Sequence, residues 1–260
     1  MTDSAWCCRA SAAAFLALAS GGQASAADCA FERQGEGRVA AVVDGRSLRL
    51  EDGREIRLAG IERAGTDTAG GRAVLSAIAG GRDVTLHGDD DSPDRYGRQA
   101  AFLFAAGSDQ SVQSELLRRG GALFSADIAD KECAAALAAA EGAARDAKLG
   151  IWAERAAIKN TESSGDILAA IGHFSVVEGR VLSVRQAGAV TYLNFGRNWT
   201  RDFAATIPRR TYRRSRAPAL DLSRSKINGF VSAGLSHRGV DHGSSCCGWG
   251  RLRCWAGNSA

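Results

Sequence analysis

Beyond its N-terminal region the chain has no apolar run long enough to cross a bilayer, so no helical membrane span is expected in the mature sequence. It has no internal repeat and no heptad run, which removes solenoids and coiled coils from consideration. No cysteine follows a Leu-x-Ala or Leu-x-Gly triplet, so no lipoprotein anchor is expected. Charge of either sign is not in large excess. There are 33 Lys and Arg against 29 Asp and Glu, a net charge of +4 and a pI near 8.8. That mild basicity is compatible with nucleic-acid contact and does not demand it. Hydrophobic residues make up 45% and charged residues 24% of the 260, which suits a globular protein of one large or two modest domains.

What is present begins with an export signal over residues 1–26. Arg9 precedes the apolar run Ala10–Ala19, Gly21-Gly22 breaks it, and Ala24-Ser25-Ala26 offers an A-x-A cleavage site before Ala27. A short buried helix is the alternative reading. Cys7 and Cys8 would leave with the signal, and an oxidising compartment would then permit disulfides.

Two arginines stand out. Arg98 follows the Tyr96-Gly97 turn and precedes an apolar run, Gln99–Phe104, with the pattern of a buried strand. Arg57 lies in Glu55–Ile61, a strand after an Asp52-Gly53 hairpin turn. A planar, permanently charged guanidinium held at a strand end suits a phosphate. A surface turn, or ion pairs with Glu62 and Asp94 that support the fold, is the competing reading.

Taken in order, these segments resemble the staphylococcal-nuclease-like (thermonuclease) family. Val42–Leu50 resembles its opening hairpin, Arg57–Glu62 its arginine-bearing strand, and Asp94–Arg98 its Asp-x-Tyr-Gly-Arg segment. Val112–Ala122 resembles its helix, with Gly120-Gly121 as the stop, and Leu149–Trp152 its closing Leu-x-Ile-Trp. The resemblance runs from about residue 35 to 154. It implies a mainly β protein with α-helices: a five-stranded OB-type barrel with three helices. It also implies phosphodiester hydrolysis of nucleic acids, calcium as cofactor, Arg57 and Arg98 as catalytic residues, and Tyr96 with both arginines as substrate-binding residues.

The same resemblance locates losses. The family's Asp-Gly-Asp-Thr turn is here Asp44-Gly45-Arg46-Ser47, so a cation stands where a metal ligand is implied. The second ligand position carries Glu62, the metal candidate the resemblance leaves, and its neighbour is Arg63. The general base falls at Gly65, after Ala64. Calcium takes oxygen ligands, which Arg46 does not offer. Glycine cannot deprotonate water, and losing that help costs about 10²–10⁴-fold in rate. Asp67, Asp89, Asp90 and Asp91 are carboxylates in nearby loops that could in principle substitute. Calcium is therefore not expected to bind, and hydrolysis is expected to be weak or lost. The alternative function is a non-catalytic exported module that binds phosphate or nucleic acid.

Cys29 and Cys133 remain after signal removal. A bridge between them would tie the new N-terminus to the helix that runs from Ala134 to Lys148; two buried thiols are the other possibility. Ile151 and Trp152 are expected to plug the barrel of a domain spanning 35–155. Residues 156–172 read as a polar linker. Residues 173–225 read as a partial second OB-like β domain, with strands in Phe174–Arg185, Val190–Gly196 and Asp202–Pro208. Tyr192, Phe195, Trp199 and Phe203 there could stack bases, although half must point into the core. Arg209, Arg210, Arg213, Arg214 and Arg216 could track a polyanion or simply face solvent. Residues 226–260 read as an irregular tail, disordered or out of frame. Its His237, His242, Cys246, Cys247 and Cys254 match no standard zinc spacing. The sequence sets no oligomeric state.

Overall fold

The computed structural model describes residues 29, 31–64, 68–125, 128–154, 158–170, 173–198, 202–208, 230–234 and 252–255. The expected export signal, Gly65, Asp67, Trp199, the arginines at 209–216 and the tail residues His237, His242, Cys246 and Cys247 lie outside them.

Five strands close a barrel. They are β1 (Arg33–Asp44), β2 (Ser47–Leu50), β3 (Glu55–Leu58), β5 (Asp83–His87) and β6 (Arg98–Ala105), in the order β1-β2-β3-β6-β5. All the pairings are antiparallel except β3–β6, which is parallel. Closure removes the exposed edges that an open sheet would present. The inward set is apolar: Val39, Leu48, Leu50, Ile56, Leu58, Val84, Leu86, Ala101 and Leu103 are all buried. Two further strands, β4 (Ile61–Glu62) and β7 (Leu123–Phe124), form a small antiparallel ribbon beside the barrel, with Glu62 opposite Leu123.

Three helices cover the barrel: α1 (Thr68–Ala79), α2 (Val112–Arg118) and α3 (Lys131–Asp146). Ser111 caps α2 by accepting from Ser114 N at 3.1 Å, and Asp130 caps α3 by accepting from Cys133 N at 2.7 Å. Helix α3 buries Cys133, Leu137, Ala140, Glu141 and Ala144, one stripe at helical spacing. Cys133, on its first turn, forms a disulfide with Cys29, and both are buried in the barrel core. Buried Gln113 stitches α2 to β6: its Oε1 accepts from Leu103 N at 3.2 Å and its Nε2 donates to Ala101 O at 2.8 Å.

A single turn of 3-10 helix, Gly150–Ala153, closes the domain. Its start crosses the end of α2 so tightly that a Cβ on Gly120 would lie 2.2 Å from Leu149 O, and one on Gly150 2.3 Å from Gly120 O. Both glycines also have positive φ, so no other residue fits either position without strain. Trp152 is not a barrel plug. It is buried in a cluster separate from the barrel core, with Leu123, Ala144 of α3 and Val176.

The segment read as a linker is structured: β8 (Ile158–Asn160) and α4 (Ser164–Ala169) fall within it. Strand β8 pairs in parallel with β9 (Val176–Glu178). Strands β10 (Ser183–Ala187), β11 (Val190–Asn194) and β12 (Ala204–Pro208) form a three-stranded antiparallel sheet over a small core of Ile167, Val177, Val181, Leu193, Phe195, Phe203 and Ala205. The stretch read as an irregular tail carries β13 (Phe230–Gly234) and β14 (Leu252–Trp255), which extend the β8–β9 sheet in the order β14-β13-β9-β8. Two open sheets thus make up the second module among the described residues.

Candidate functional site

The site lies on the outer face of β3 and β6. In β3, Ile56 and Leu58 point inward, so Glu55 and Arg57 point outward; in β6, buried Gln99 and Ala101 leave Arg98 and Ala100 outward. The parallel register sets Glu55 opposite Arg98 and Arg57 opposite Ala100. Arg57 and Arg98 are therefore diagonal neighbours on one face, about 8 Å apart at the backbone from strand spacing and rise. Asp44, Ser47 and Arg57 stand in one lateral row across β1, β2 and β3.

Each arginine has its own carboxylate. Asp94 Oδ1 accepts from Tyr96 N at 2.8 Å and from Arg98 N at 3.1 Å, while Oδ2 accepts from Arg98 Nε at 3.1 Å and Nη2 at 2.8 Å. One carboxylate thus shapes the turn and aims the guanidinium. The Arg98 hydrogen bond holds the Asp94 carboxyl down at about 2, below its ordinary 3.8, and the same bond raises the Arg98 pKa. Gly97, at φ +76°, makes the turn's left-handed corner. Tyr96 is 57% exposed, and its ring is flanked by Arg95 at 4.8 Å and Arg98 at 5.0 Å. That arrangement is a cation–π stack with the ring edge open to solvent.

Arg57 Nη2 donates to Glu62 Oε1 at 3.3 Å. Glu62 is shared, because Arg46 lies against its Oε2 in an ion contact. Arg46 Nη1 is buried against this carboxylate. Burial lowers the Arg46 pKa, the attraction of Glu62 opposes this, and Arg57 adds to the lowering. Asp44 Oδ1 accepts from Arg46 N at 2.9 Å, and its Oδ2 is 3.5 Å from Arg63. The guanidiniums of Arg46, Arg57, Arg63 and Arg98 are ion-paired with the carboxylates of Asp44, Glu62 and Asp94, and Glu55 adds a further carboxylate opposite Arg98.

The residues expected from the sequence are therefore brought together, with both competing readings visible at once. Arg57 and Arg98 do pair with Glu62 and Asp94, and they also share an open face. Glu62, the metal candidate, would have to part from two guanidiniums to hold an ion. The set does not fit calcium as the resemblance implies it, since a buried cation occupies the neighbourhood of the remaining carboxylates. Asp89, Asp90 and Asp91 are exposed between β5 and β6. Among the described residues, no three His, Cys, Asp or Glu side chains come close enough to hold a metal ion.

Two contributors had no sequence signal. Arg46 was legible as a lost ligand but not as a partner of Glu62. Glu141, buried on α3, accepts from Phe124 N at 2.8 Å and so holds the ribbon on which Glu62 sits. In the second module, Phe195 and Phe203 pack on each other at 5.3 Å inside the core, as strand alternation requires. Tyr192 lies on the opposite face from buried Leu193, between Arg185 and Thr206.

Residues 71–154 match the family model for staphylococcal nuclease homologue. The motifs and the closed barrel agree with that match, which supports a staphylococcal-nuclease-like domain in this part of the chain. The matched stretch includes Asp94–Arg98; Arg46, Arg57 and Glu62 precede it. No curated protein matches the chain. Among the described residues, no helix is long and apolar enough to cross a membrane.

Proposed function

We propose that this chain is an exported binder of nucleic-acid phosphates, built on the nuclease fold, that works without calcium and has weak or lost hydrolytic power. The observation that carries this is the Arg46–Glu62 contact. A guanidinium takes the place of a ligand, and its charge does part of what a bound cation would do for an approaching phosphate. Arg57 and Arg98 keep donors free toward solvent while a carboxylate orients each of them. Guanidiniums held in this way offer several fixed donors to phosphate oxygens. Tyr96 stands exposed between Arg95 and Arg98, so its ring would line the path of a strand whose phosphate meets Arg98. Hydrolysis lacks a positioned base, since the position implied for it is Gly65. Export rests on the N-terminal pattern and agrees with a disulfide between Cys29 and Cys133.

The test is fluorescence anisotropy of a short single-stranded DNA with the mature chain, in excess chelator, over a series of salt concentrations. Two phosphates engaged would give a slope of log K against log salt of about −1.4. Arg98→Ala and Arg57→Ala should each weaken binding and flatten the slope by about 0.7. Binding that appears only with calcium, accompanied by rapid cleavage, would overturn the proposal in favour of a metal-dependent nuclease.

A further inference from the structure

We propose that the second module is a positioning element for the arginine–carboxylate site: by docking on Leu123 and Trp152 it fixes the ribbon that carries Glu62 and Arg63, so that full phosphate affinity requires an intact dock. The functional half of this rests on the phosphate-binding reading above.

The contacts run in a short chain. Glu62 on β4 stands opposite Leu123 on β7. Leu123 is only 2% exposed, and what buries it is a cluster of its own, with Ala144 of α3, Trp152 of the closing turn and Val176 of β9. Ile158 of β8 and Phe174, just before β9, pack on the same cluster. So does Ala64, two residues after Glu62 and one after Arg63. Val176, Ile158 and Phe174 of the second module thus share one apolar cluster with Ala64, on the chain that leaves Glu62, and with Leu123, on the strand that pairs with it.

A polar clamp flanks this apolar seat. Arg145 of α3 is ion-paired with Glu178 of β9, and its guanidinium lies 4.8 Å over the Trp152 ring. The Arg145 and Glu178 side chains are 30% and 26% exposed, so the pair is partly shielded from water. Direction matters here: Arg145 belongs to the nuclease-like domain and Glu178 to the second module, and both residues lie away from the phosphate-facing arginines. The barrel strands that carry Arg57 and Arg98 need no such support, because closure and the main core hold them. The β4–β7 ribbon has just two residues per strand, and a two-stranded ribbon alone is marginal in water. Glu141 holds one end of it through Phe124 N. The dock holds the other side. When the ribbon is in place, Glu62 bridges Arg46 and Arg57 and keeps the Arg57 fork aimed; when it loosens, Arg57 gains rotamer freedom that phosphate binding must remove.

The experiment uses the full mature chain with Glu178→Arg, Arg145→Glu, the two combined, and Val176→Asp as an apolar counterpart. Two readouts are taken: amide hydrogen exchange by segment, and affinity for the same single-stranded DNA. Each single variant should speed exchange at residues 61–64 and 123–124 while leaving 47–58 and 98–105 protected. Affinity should fall about three- to thirtyfold, the usual range for coupling between sites. The charge swap should restore the share of both readouts carried by the ion pair, though not the share carried by Arg145 over the Trp152 ring, whereas mere loss of charge would restore neither. Unchanged exchange at 61–64 in every variant would overturn the docking. Faster exchange with unchanged affinity, in a wild type that binds DNA, would overturn the positioning role. A wild type that binds no DNA, with the exchange response intact, would overturn the phosphate reading and the functional half of this proposal while leaving the dock standing.

Discussion

Removing the Cys29–Cys133 bridge by Cys29→Ala with Cys133→Ala should lower stability more than any other pair of small changes. The bridge spans a sequence separation of 104, almost the whole nuclease-like domain. In the chain-entropy treatment, a closed loop of that length contributes about 4.7 kcal/mol by restricting the unfolded chain. Measured losses for native bridges run at about 2–5 kcal/mol, because strain and residual unfolded structure reduce the ideal figure. For a domain of about 120 residues the unfolding entropy is roughly 0.25 kcal/mol/K, so the melting temperature should drop by about 8–20 °C. Alanine in place of two buried half-cystines leaves a small apolar gap in the barrel core, which adds to the loss. The assay is thermal melting by circular dichroism for wild type and variant, with intact mass used to verify oxidation. Because both cysteines are 2% exposed, reductant should act slowly on the native protein and quickly once it is partly unfolded. A loss below about 1 kcal/mol for an oxidised wild type would refute the reasoning, since the entropy term would then be absent. Free thiols at both positions in exported protein would refute its premise.

Arg46→Asp should bring a third carboxylate beside Asp44 and Glu62 and remove the buried cation, so millimolar calcium should raise that variant's melting temperature and leave the wild type unmoved. At a hundredfold excess over Kd the expected gain is about 2.7 kcal/mol, and a wild type that responds equally would show the arginine to be no obstacle. Asp94 has a depressed pKa, so its contribution to stability is complete above its ordinary 3.8 and is lost as pH falls through about 2. The melting-temperature difference between wild type and Asp94→Asn should accordingly be flat from pH 5 to 8 and shrink toward zero in acid; a difference that grew on acidification would contradict the sign. Exported protein should begin near Ala27, which N-terminal sequencing checks, and an uncleaved Met1 would remove the export proposal.

The amino-acid sequence by itself determined the strands, their turns and the residue types at the site. Asp52-Gly53 and Tyr96-Gly97 are local turn signals, and the alternating or continuous apolar residues after them have no other good use than strands. That is why Arg57 and Arg98 could be placed at strand ends, and why the loss of a ligand at Arg46 and of a base at Gly65 was legible. Two cysteines left by signal removal, Cys29 before the domain and Cys133 on its last helix, were also legible as a candidate bridge. Other partners across long separations were not legible. Arg57 and Arg98 share a face only because β3 and β6 pair in parallel when the barrel closes, and no local pattern encodes that register. Whether Glu62 would bind a metal or an arginine depended on where the Arg46 side chain turned. Trp152 looked like barrel core because it is large and apolar, yet it seats Leu123, Ala144 and Val176 outside the barrel. Residues 156–172 looked like a linker because they are polar, yet β8 gains its place from pairing with β9, a partner known only once the chain has folded back. Local sequence reports the period and the turns; burial against distant segments decides which surfaces meet, and that is settled by the free energy of the whole fold.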